Sequence, residues 1–170
     1  MFVGEGPGFN EDQQGRPFVG QAGRLLEELL ATIGLTRQDV YITNVIKCRP
    51  PNNRDPLPEE IAACKHYLER QIELIGPKLI VTLGRFSLGW FFPKDGISRT
   101  HGHLRRLGDR HFYHLYHPAA ALRSTQLRQV MEADFRRIPQ ALDKAREQEA
   151  VQAAVLTPVE VPAARQGRLL

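Results

Sequence analysis

Carboxylates, an amide and a histidine follow short apolar runs at four separate places in the sequence. The residues directly after these runs are, in order, Glu5, Gly6, Pro7, Gly8, Glu11 and Asp12; Asn44; Gly84 and Arg85; and His117. If the runs are strands of an open parallel sheet, the ligand crevice lies beyond their carboxyl ends. These residues are therefore predicted to meet at one edge of a sheet, where acid–base chemistry and hydrogen-bonded recognition of a ligand could take place.

Each of these residues also has a purely structural interpretation. The turn Gly4–Gly8 lacks both the G-x-G-x-x-G spacing and the Gly-Lys-Ser/Thr of a phosphate-binding loop, so its glycines could serve only a turn. Asn44 could cap the segment that follows it, and His117 could be a core or rim histidine. His101 and His103 resemble a zinc-binding pair, but no third or fourth ligand stands at the customary spacing.

The elements that must position these residues alternate between strands and helices. Apolar runs predict strands that end near Gly4, Asn44, Leu83 and Tyr116, and periodicity predicts helices over Gln21–Ile33, from Pro58 to Gly76, from Gly84 to Trp90 and over Thr125–Ile138. This alternation is typical of an α/β fold with a mainly parallel, four-stranded sheet covered on both faces. We expect one domain over residues 1–146 and a mobile tail over residues 147–170, where the periodicity is lost.

Composition limits the class of protein. The sequence has 170 residues, of which 42% are hydrophobic and 25% charged, as in an ordinary globular domain. It contains neither a run of ~18 apolar residues nor a secretory leader, so we expect a cytoplasmic protein without a membrane partner. The net charge is +4, and the segment Arg85–Arg137 holds ten bases against four acids. This excess fits either a solvated surface or one that meets a polyanion.

Four segments together resemble the motifs of the family-4 uracil-DNA glycosylases, the thermostable-type base-excision enzymes. They are GEGPGFNEDQQGRPFVGQAGRLLEELL, YITNVIKCRPPNNRDPLPEEIAAC, KLIVTLGR and HPAAALR, and the match runs from about Val3 to Arg137. The resemblance implies an α/β/α sandwich that flips uracil out of single- or double-stranded DNA. It also implies that the protein hydrolyses the N-glycosidic bond of uracil, leaves an abasic site and acts as a monomer.

The resemblance further implies a role for most residues at the strand ends. Asn44 corresponds to the amide that accepts from uracil N3–H and donates to O4, and Phe18 to the aromatic residue that stacks on the flipped base. Glu11 resembles the residue that crowds the C5 edge of the base. His117 corresponds to the histidine that donates to O2 as negative charge develops there, and Glu5 to the carboxylate that holds or activates water.

Other implied contacts involve the backbone and the DNA. The glycine-rich turn is expected to position the base or the water through its backbone at Gly6, Pro7 and Gly8. In the HPAAALR segment, Leu122 is the candidate wedge that enters the vacated stack. Arg123 and basic neighbours such as Arg85 are expected to contact phosphates, which would make binding salt-dependent.

The family carries a [4Fe-4S] cluster on four cysteines, and this sequence has two. Cys48 and Cys64, with fifteen residues between them, match the second pair of ligands in context. The first pair, a C-x-x-C motif before the first strand, has no counterpart here, and two thiolates cannot complete a cluster. We favour a sequence that is short at its N-terminus over a lineage that has lost its cluster.

Two other functions stay open at this point. A related glycosylase could act on other deaminated bases such as hypoxanthine, and a member of the same superfamily could bind DNA without catalysis. The carboxylate of Glu5 and the amide of Asn44 favour uracil. Related glycosylase families have an aspartate where this sequence has Gly6, so Glu5 could either activate the water or only hold it.

Overall fold

A five-stranded sheet with helices on both faces forms the domain in the computed structural model, which describes residues 1–156. The strands are β1 (Phe2–Gly4), β2 (Ile42–Asn44), β3 (Ile80–Leu83), β4 (Leu104–Leu107) and β5 (Arg110–Leu115). The helices are α1 (Phe9–Gln14), α2 (Gln21–Ala31), α3 (Pro58–Ile75), α4 (Arg85–Phe91), α5 (Ile97–Thr100), α6 (Pro118–Ala121), α7 (Thr125–Phe135) and α8 (Ile138–Leu156). The strand order is β2-β1-β3-β5-β4, and only β4 runs antiparallel to its neighbour. The predicted α/β class is confirmed.

The predicted number of four strands is wrong by one. The additional strand, β4, pairs with β5 through the two-residue turn Gly108-Asp109, so that Leu107 lies opposite Arg110. As an edge strand, β4 is partly exposed along its whole length and lacks an apolar run. Gly108 has a φ of +62°, which the tight turns of two-residue hairpins require. A Gly-Asp pair before an alternating segment was therefore the sequence signal for this strand.

The side chains of each central strand are divided between two apolar layers. Phe2 and Val81 pack on one face with α2, α7 and α8. Val3 and Ile80 pack on the other face with α3 and α4. Because successive side chains of a strand point to opposite faces, strands covered on both sides need continuous apolar sequence. This explains the KLIVTL run and confirms the prediction that helices cover both faces.

The C-terminal helix continues past the predicted end of the domain. The predicted boundary between residues 146 and 147 falls inside α8, which extends to residue 156. Lys78 Nζ donates to a carboxylate oxygen of Glu149 at 2.7 Å, and His111 Nε2 lies 2.7 Å from Gln148 Oε1. These polar contacts hold the helix against the sheet, although its apolar periodicity fades. The remainder of the predicted tail, residues 157–170, lies outside the described residues.

Helix ends differ slightly from their predicted positions. The helix predicted over Thr125–Ile138 is three residues shorter, because α7 ends at Phe135, and the next helix, α8, begins at Ile138 with Pro139 in its first turn. Proline fits a first turn, where its missing N–H needs no partner. Among the helices of residues 1–156, none has the length and apolar character needed to cross a membrane.

Candidate active site

A cleft at the carboxyl ends of the parallel strands contains most of the residues that the sequence singled out. It encloses about 280 Å³ and is lined by Glu5, Gly6, Pro7, Gly8, Glu11, Phe18 and His117, together with Ala22, Ile46, Pro50, Asn53, Arg54 and Ala119. Because parallel strands end at the same edge of the sheet, residues from distant parts of the sequence share this space.

A second cavity of about 400 Å³ adjoins the cleft along Pro7, Glu11 and Ile46. Asn44 lines this larger cavity. We assign the chemistry to the smaller cleft, because it holds an imidazole, a half-buried carboxylate and an aromatic ring together. Asn44 stands near the boundary between the two spaces, because Asn44 and Phe18, which lines the smaller cleft, both approach the last residue of β1.

Asn44 and Phe18 meet at Gly4, the last residue of β1. A Cβ atom added to Gly4 would lie 2.5 Å from Asn44 Oδ1 and 2.6 Å from the ring of Phe18, so only glycine leaves room for both. Asn44 Oδ1 is buried and has no hydrogen-bond partner in the described part of the chain, which argues against a capping role. A buried, unpaired acceptor beside an aromatic ring suits a planar ligand that brings its own donor.

The backbone of Phe18 has an uncommon conformation. Its φ of +54° is left-handed, which is rare for a bulky residue that is not glycine. The side chain is only 5% exposed and stacks on His117, with 5.6 Å between the ring centroids and 29° between the ring planes. The phenyl ring therefore forms a fixed wall of the cleft next to the histidine.

His117 follows β5 and caps the short helix α6. Its Nδ1 accepts a hydrogen bond from the backbone N–H of Ala119 at 3.1 Å, so a neutral imidazole must carry its proton on Nε2. Burial lowers the pKa of His117 to about 4, although the charge of Glu11 partly opposes this. At neutral pH the ring is uncharged and can donate a hydrogen bond from Nε2.

Glu5 occupies a half-buried position directly after β1. Burial raises the pKa of its carboxyl; the negative charge of Asp55 raises it further, and the positive charge of Arg85 lowers it. Asp55 and Arg85 form an ion pair, with Arg85 Nη2 2.5 Å from Asp55 Oδ2. A carboxylate whose pKa is raised is a better proton acceptor than an ordinary surface glutamate.

Glu11 on α1 anchors this helix to the segment before α2. Its Oε1 accepts hydrogen bonds from the backbone N–H groups of Val19 and Gly20, each at 2.8 Å. Burial raises the pKa of Glu11, but these two N–H groups and those of Gly8 and Glu11 itself outweigh the burial and lower it. Glu11 is therefore a firmly held anion, less suited than Glu5 to accepting a proton.

The packing around position 6 leaves room only for glycine. A Cβ atom on Gly6 would lie 2.5 Å from Cγ1 of Ile46, which follows β2 and lines both cavities. An aspartate at this position would collide with the isoleucine. The carboxylates beside the turn are therefore Glu5, which precedes Gly6, and Glu11 on α1, and Gly6, Pro7 and Gly8 line the cleft between them.

The residues expected to grip DNA lie outside the lining of the cleft. Leu122 ends α6 with 44% of its surface exposed, and the exposed Arg123 follows it. Four bases of the basic segment form ion pairs with acids, namely Arg85, Arg105, Arg128 and Arg137. Less positive charge is therefore available to a polyanion than the composition suggested.

Cys64 lies against the residue that precedes Cys48. The backbone N–H of Lys47, the residue before Cys48, donates to Cys64 Sγ at 3.3 Å. Cys48 is exposed and Cys64 partly exposed. Across residues 1–156, no group of three or more His, Cys, Asp and Glu side chains could hold a metal ion. A [4Fe-4S] cluster takes four thiolates, so the residues present supply half of a ligand set and do not fit the cluster by themselves.

His101 and His103 make hydrogen bonds within their own region, and the described residues bring no third metal ligand to them. His101 Nδ1 lies 2.7 Å from Oδ2 of the buried Asp134, and His103 Nδ1 lies 2.8 Å from the carbonyl oxygen of His101. Both histidines therefore serve the local structure of the loop before β4.

Two cations that the sequence did not single out support the walls of the site. Lys47 Nζ donates to the carbonyl of Asn44 at 2.7 Å, and burial lowers the pKa of this lysine to about 8. Arg37 donates to the carbonyls of Pro17 and Phe18. Neither cation directly follows a strand, so a search of strand ends does not find them.

Comparison with known proteins identifies the class to which this fold and site belong. The family described as the uracil DNA glycosylase superfamily matches residues 1–143. A type-4 uracil-DNA glycosylase from Archaeoglobus fulgidus is 52% identical over 153 residues, which cover 85% of this chain and 77% of that protein. One from Sulfurisphaera tokodaii is 51% identical over 148 residues, 81% of this chain and 67% of that protein.

A type-5 uracil-DNA glycosylase from Thermus thermophilus is less similar, at 32% identity over 138 residues, 69% of this chain and 63% of that protein. The chain therefore belongs to the uracil-DNA glycosylase superfamily and, within it, to the type-4 family. The resemblance noted in the sequence is confirmed.

Proposed function

We propose that this chain excises uracil from DNA, hydrolysing the N-glycosidic bond and leaving an abasic site. The observation that carries the proposal is the buried, unpaired Oδ1 of Asn44 against the ring of Phe18, at the edge of the cleft that holds His117 and Glu5. Base recognition, stacking, leaving-group stabilisation and water placement are thus available in one place. The names of the type-4 relatives support the same reaction.

The amide of Asn44 selects the base. Its Oδ1 accepts from uracil N3–H, and its Nδ2 donates to O4, while the base stacks on Phe18. Cytosine presents an acceptor at N3 and a donor at C4, so buried polar groups on both sides would remain unpaired. Such a mismatch can discriminate by ~10⁴ or more. Glu11, held by two backbone N–H groups, forms the wall at C5 that a thymine methyl group would meet.

His117 acts on the leaving base, and Glu5 acts on the attacking water. As the bond between C1′ and N1 breaks, its electron pair moves onto uracil, and His117 donates from Nε2 to O2, where negative charge develops. A prepositioned donor of this kind is worth ~3–4 kcal/mol in comparable sites. Water attacks C1′ while Glu5 holds it and accepts its proton. The backbone of Gly6 and Gly8 positions the water or the base.

The exposed residues beyond the cleft bind the DNA. Leu122 enters the space that the flipped nucleotide leaves in the stack, and Arg123 and Arg85 contact phosphates. The protein acts as a monomer in the cytoplasm, on single- and double-stranded DNA.

Cys48 and Cys64 are the two ligands that this sequence contributes to a [4Fe-4S] cluster, for which a complete set needs two further thiolates. The short distance between Lys47 N and Cys64 Sγ supports this pairing. Iron and sulfide are measured in protein of this sequence, in the same sequence extended before Met1 by a segment with a C-x-x-C pair, and in Cys48→Ser and Cys64→Ser of the extended protein. We expect a cluster in the extended protein and its loss in both serine variants, because only four thiolates complete the ligand set; no cluster in the extended protein, or equal iron in its serine variants, would contradict the assignment.

Release of the free base from oligonucleotides tests the enzymatic proposal. Single- and double-stranded substrates carry one uracil, hypoxanthine, thymine or cytosine at the same position, and the released base is quantified chromatographically. We expect release of uracil from both kinds of substrate. Release of hypoxanthine without uracil would favour a related glycosylase of other specificity. Binding of DNA by folded protein without release of any base would favour a non-catalytic member of the superfamily.

A further inference from the structure

Arg37 lies behind the aromatic wall of the cleft and is bound to its backbone. Its Nη1 donates to the carbonyl of Phe18 at 2.6 Å, and its Nη2 donates to the carbonyl of Pro17. The side chain of Arg37 is only 19% exposed, and its Nη1 also lies 3.3 Å from Glu27 Oε1. Because a guanidinium is a rigid fork of donors, two bonds to successive carbonyls fix the orientation of this segment.

The segment that Arg37 holds is the strained one. Phe18 has a φ of +54°, and a bulky residue keeps such a conformation only where its surroundings enforce it. A Cβ atom on Gly23 would lie 2.0 Å from the carbonyl oxygen of Phe18. The carbonyl of Phe18 is thus packed against α2 and hydrogen-bonded to the guanidinium of Arg37. Gly23 and Arg37 together define its position.

Arg37 is itself held in place by its own segment. It begins the short 3₁₀ turn Arg37–Asp39, which Thr36 caps. Asp39 Oδ2 accepts from both the backbone N–H and the hydroxyl of Thr36, each at 2.7 Å, and the backbone N–H of Gln38 donates to the threonine hydroxyl at 3.3 Å. A capped turn gives the guanidinium a fixed base from which to reach the two carbonyls.

We propose that Arg37 is a positioning residue for base binding, which keeps Phe18 in the left-handed conformation that aligns its ring with His117 and Asn44. The inference rests on the proposed function, because its consequence is the stacking of a flipped uracil on this ring. Arg37 acts only through Phe18 and does not itself meet the base.

A double-mutant cycle tests whether Arg37 acts through Phe18. Single-turnover excision of uracil and inhibition by free uracil are measured for wild type, Arg37→Ala, Phe18→Ala and the double variant. Misplacement of a group by about 1 Å can cost ~10²-fold in rate, so we expect Arg37→Ala to weaken both excision and uracil binding by ~10- to 100-fold. In the Phe18→Ala background, the same change should cost nothing further, because coupled residues are not additive. Additive losses would overturn the proposal.

Chemical rescue separates positioning from general stability. Guanidinium ion at millimolar concentration should restore part of the activity of Arg37→Ala and none of that of Phe18→Ala. Arg37→Lys should stay impaired, since one ammonium cannot replace the fork. Arg70→Ala, which removes an exposed arginine of α3 paired with Glu73, is the matched control and should retain wild-type activity. Failure of guanidinium to rescue Arg37→Ala would count against the proposal.

Thermal unfolding and binding of uracil-free DNA confirm that each variant is folded. If Arg37→Ala does not fold, the cycle is run with Arg37→Gln, whose amide can keep one of the two hydrogen bonds. A wild-type protein that releases no uracil overturns the proposed function. Wild-type release that the Arg37 variants leave unchanged overturns this inference alone.

Discussion

The rings of His117 and Phe18 are stacked, with 5.6 Å between their centroids and 29° between their planes. His117 follows the fifth strand, and Phe18 precedes α2, so the contact joins two distant parts of the chain. In the proposed reaction one residue donates to the leaving group and the other stacks on it. Because each ring limits the position of the other, a change in either should affect both base binding and bond cleavage.

Replacement of His117 by alanine should slow the excision of uracil. The variant loses the Nε2–H donor at O2, and loss of one such donor costs ~10²–10³ in rate in comparable sites. Single-turnover kinetics on a duplex with one uracil measure the effect. His66→Ala, which changes an exposed histidine of α3, is the control and should behave as wild type. An undiminished rate for His117→Ala would remove this residue from the mechanism.

Asn44→Asp should lose most of its activity on uracil. An ionised carboxylate keeps the acceptor for N3–H but has no donor for O4, and a mismatched buried polar group costs ~10²-fold or more. The ratio of kcat/KM for wild type and variant reports the loss. Asn52→Asp makes the same change at an exposed position and should have no effect. Equal release of uracil by Asn44→Asp would refute the recognition role.

The acid limb of the pH–rate profile should shift when Asp55 is changed. Glu5 must be ionised to accept a proton, so activity falls as pH drops through the pKa of Glu5. The negative charge of Asp55 raises that pKa; Asp55→Asn should therefore lower it and move the acid limb to lower pH. Glu5→Gln should abolish the limb altogether. Profiles of kcat/KM that coincide for wild type and Asp55→Asn would show that Glu5 is not the titrating group.

His114 should make the fold sensitive to acid. It is fully buried in β5, with its Nδ1 2.8 Å from the hydroxyl of Thr82. Burial, assisted by the charge of Arg105, lowers its pKa to about 4, whereas an unfolded histidine titrates near ~6.5. The unfolded chain therefore binds more protons between these values. The free energy of unfolding is therefore undiminished by His114 above about pH 6.5. It falls by ~3 kcal/mol as the pH drops from 6.5 towards 4.

Urea unfolding at several pH values measures the effect of His114. His114→Gln, which does not titrate, should flatten the dependence of the free energy of unfolding on pH. His117, whose pKa is lowered in the same direction, should leave a residual slope. His66→Gln is the exposed control. A slope that is unchanged in His114→Gln would contradict the assignment.

Alanine at Gly23 should damage both stability and activity. The added Cβ would lie 2.0 Å from the carbonyl oxygen of Phe18, and such overpacking costs ~1–3 kcal/mol. Gly89→Ala is the matched control, because nothing lies within 4 Å of a Cβ there and alanine favours a helix by ~1 kcal/mol. In thermal unfolding, Gly23→Ala should lower the midpoint temperature and Gly89→Ala should raise it. Full activity of a folded Gly23→Ala would show that the site tolerates a displaced Phe18.

Much of the fold could be predicted because it depends on local patterns. The apolar run of β3, the periodicity of α2 and the proline at the start of α3 determine their elements with little help from distant residues. Strand β4 escaped prediction because an edge strand buries little and needs no apolar run. The later turns of α8 escaped because polar contacts to distant residues such as Lys78, rather than apolar periodicity, hold them.

For the site, the sequence by itself determined which chemical groups stand at the strand ends: the carboxylate of Glu5, the amide of Asn44 and the imidazole of His117. Only the tertiary structure decided the protonation states of these groups. Burial lowers the pKa of His117, and the Ala119 N–H fixes its tautomer. The roles of Arg37 behind Phe18 and of Asp55 near Glu5 also depend on contacts between distant segments. Electrostatics and hydrogen bonds act through space, so no spacing along the chain could reveal them.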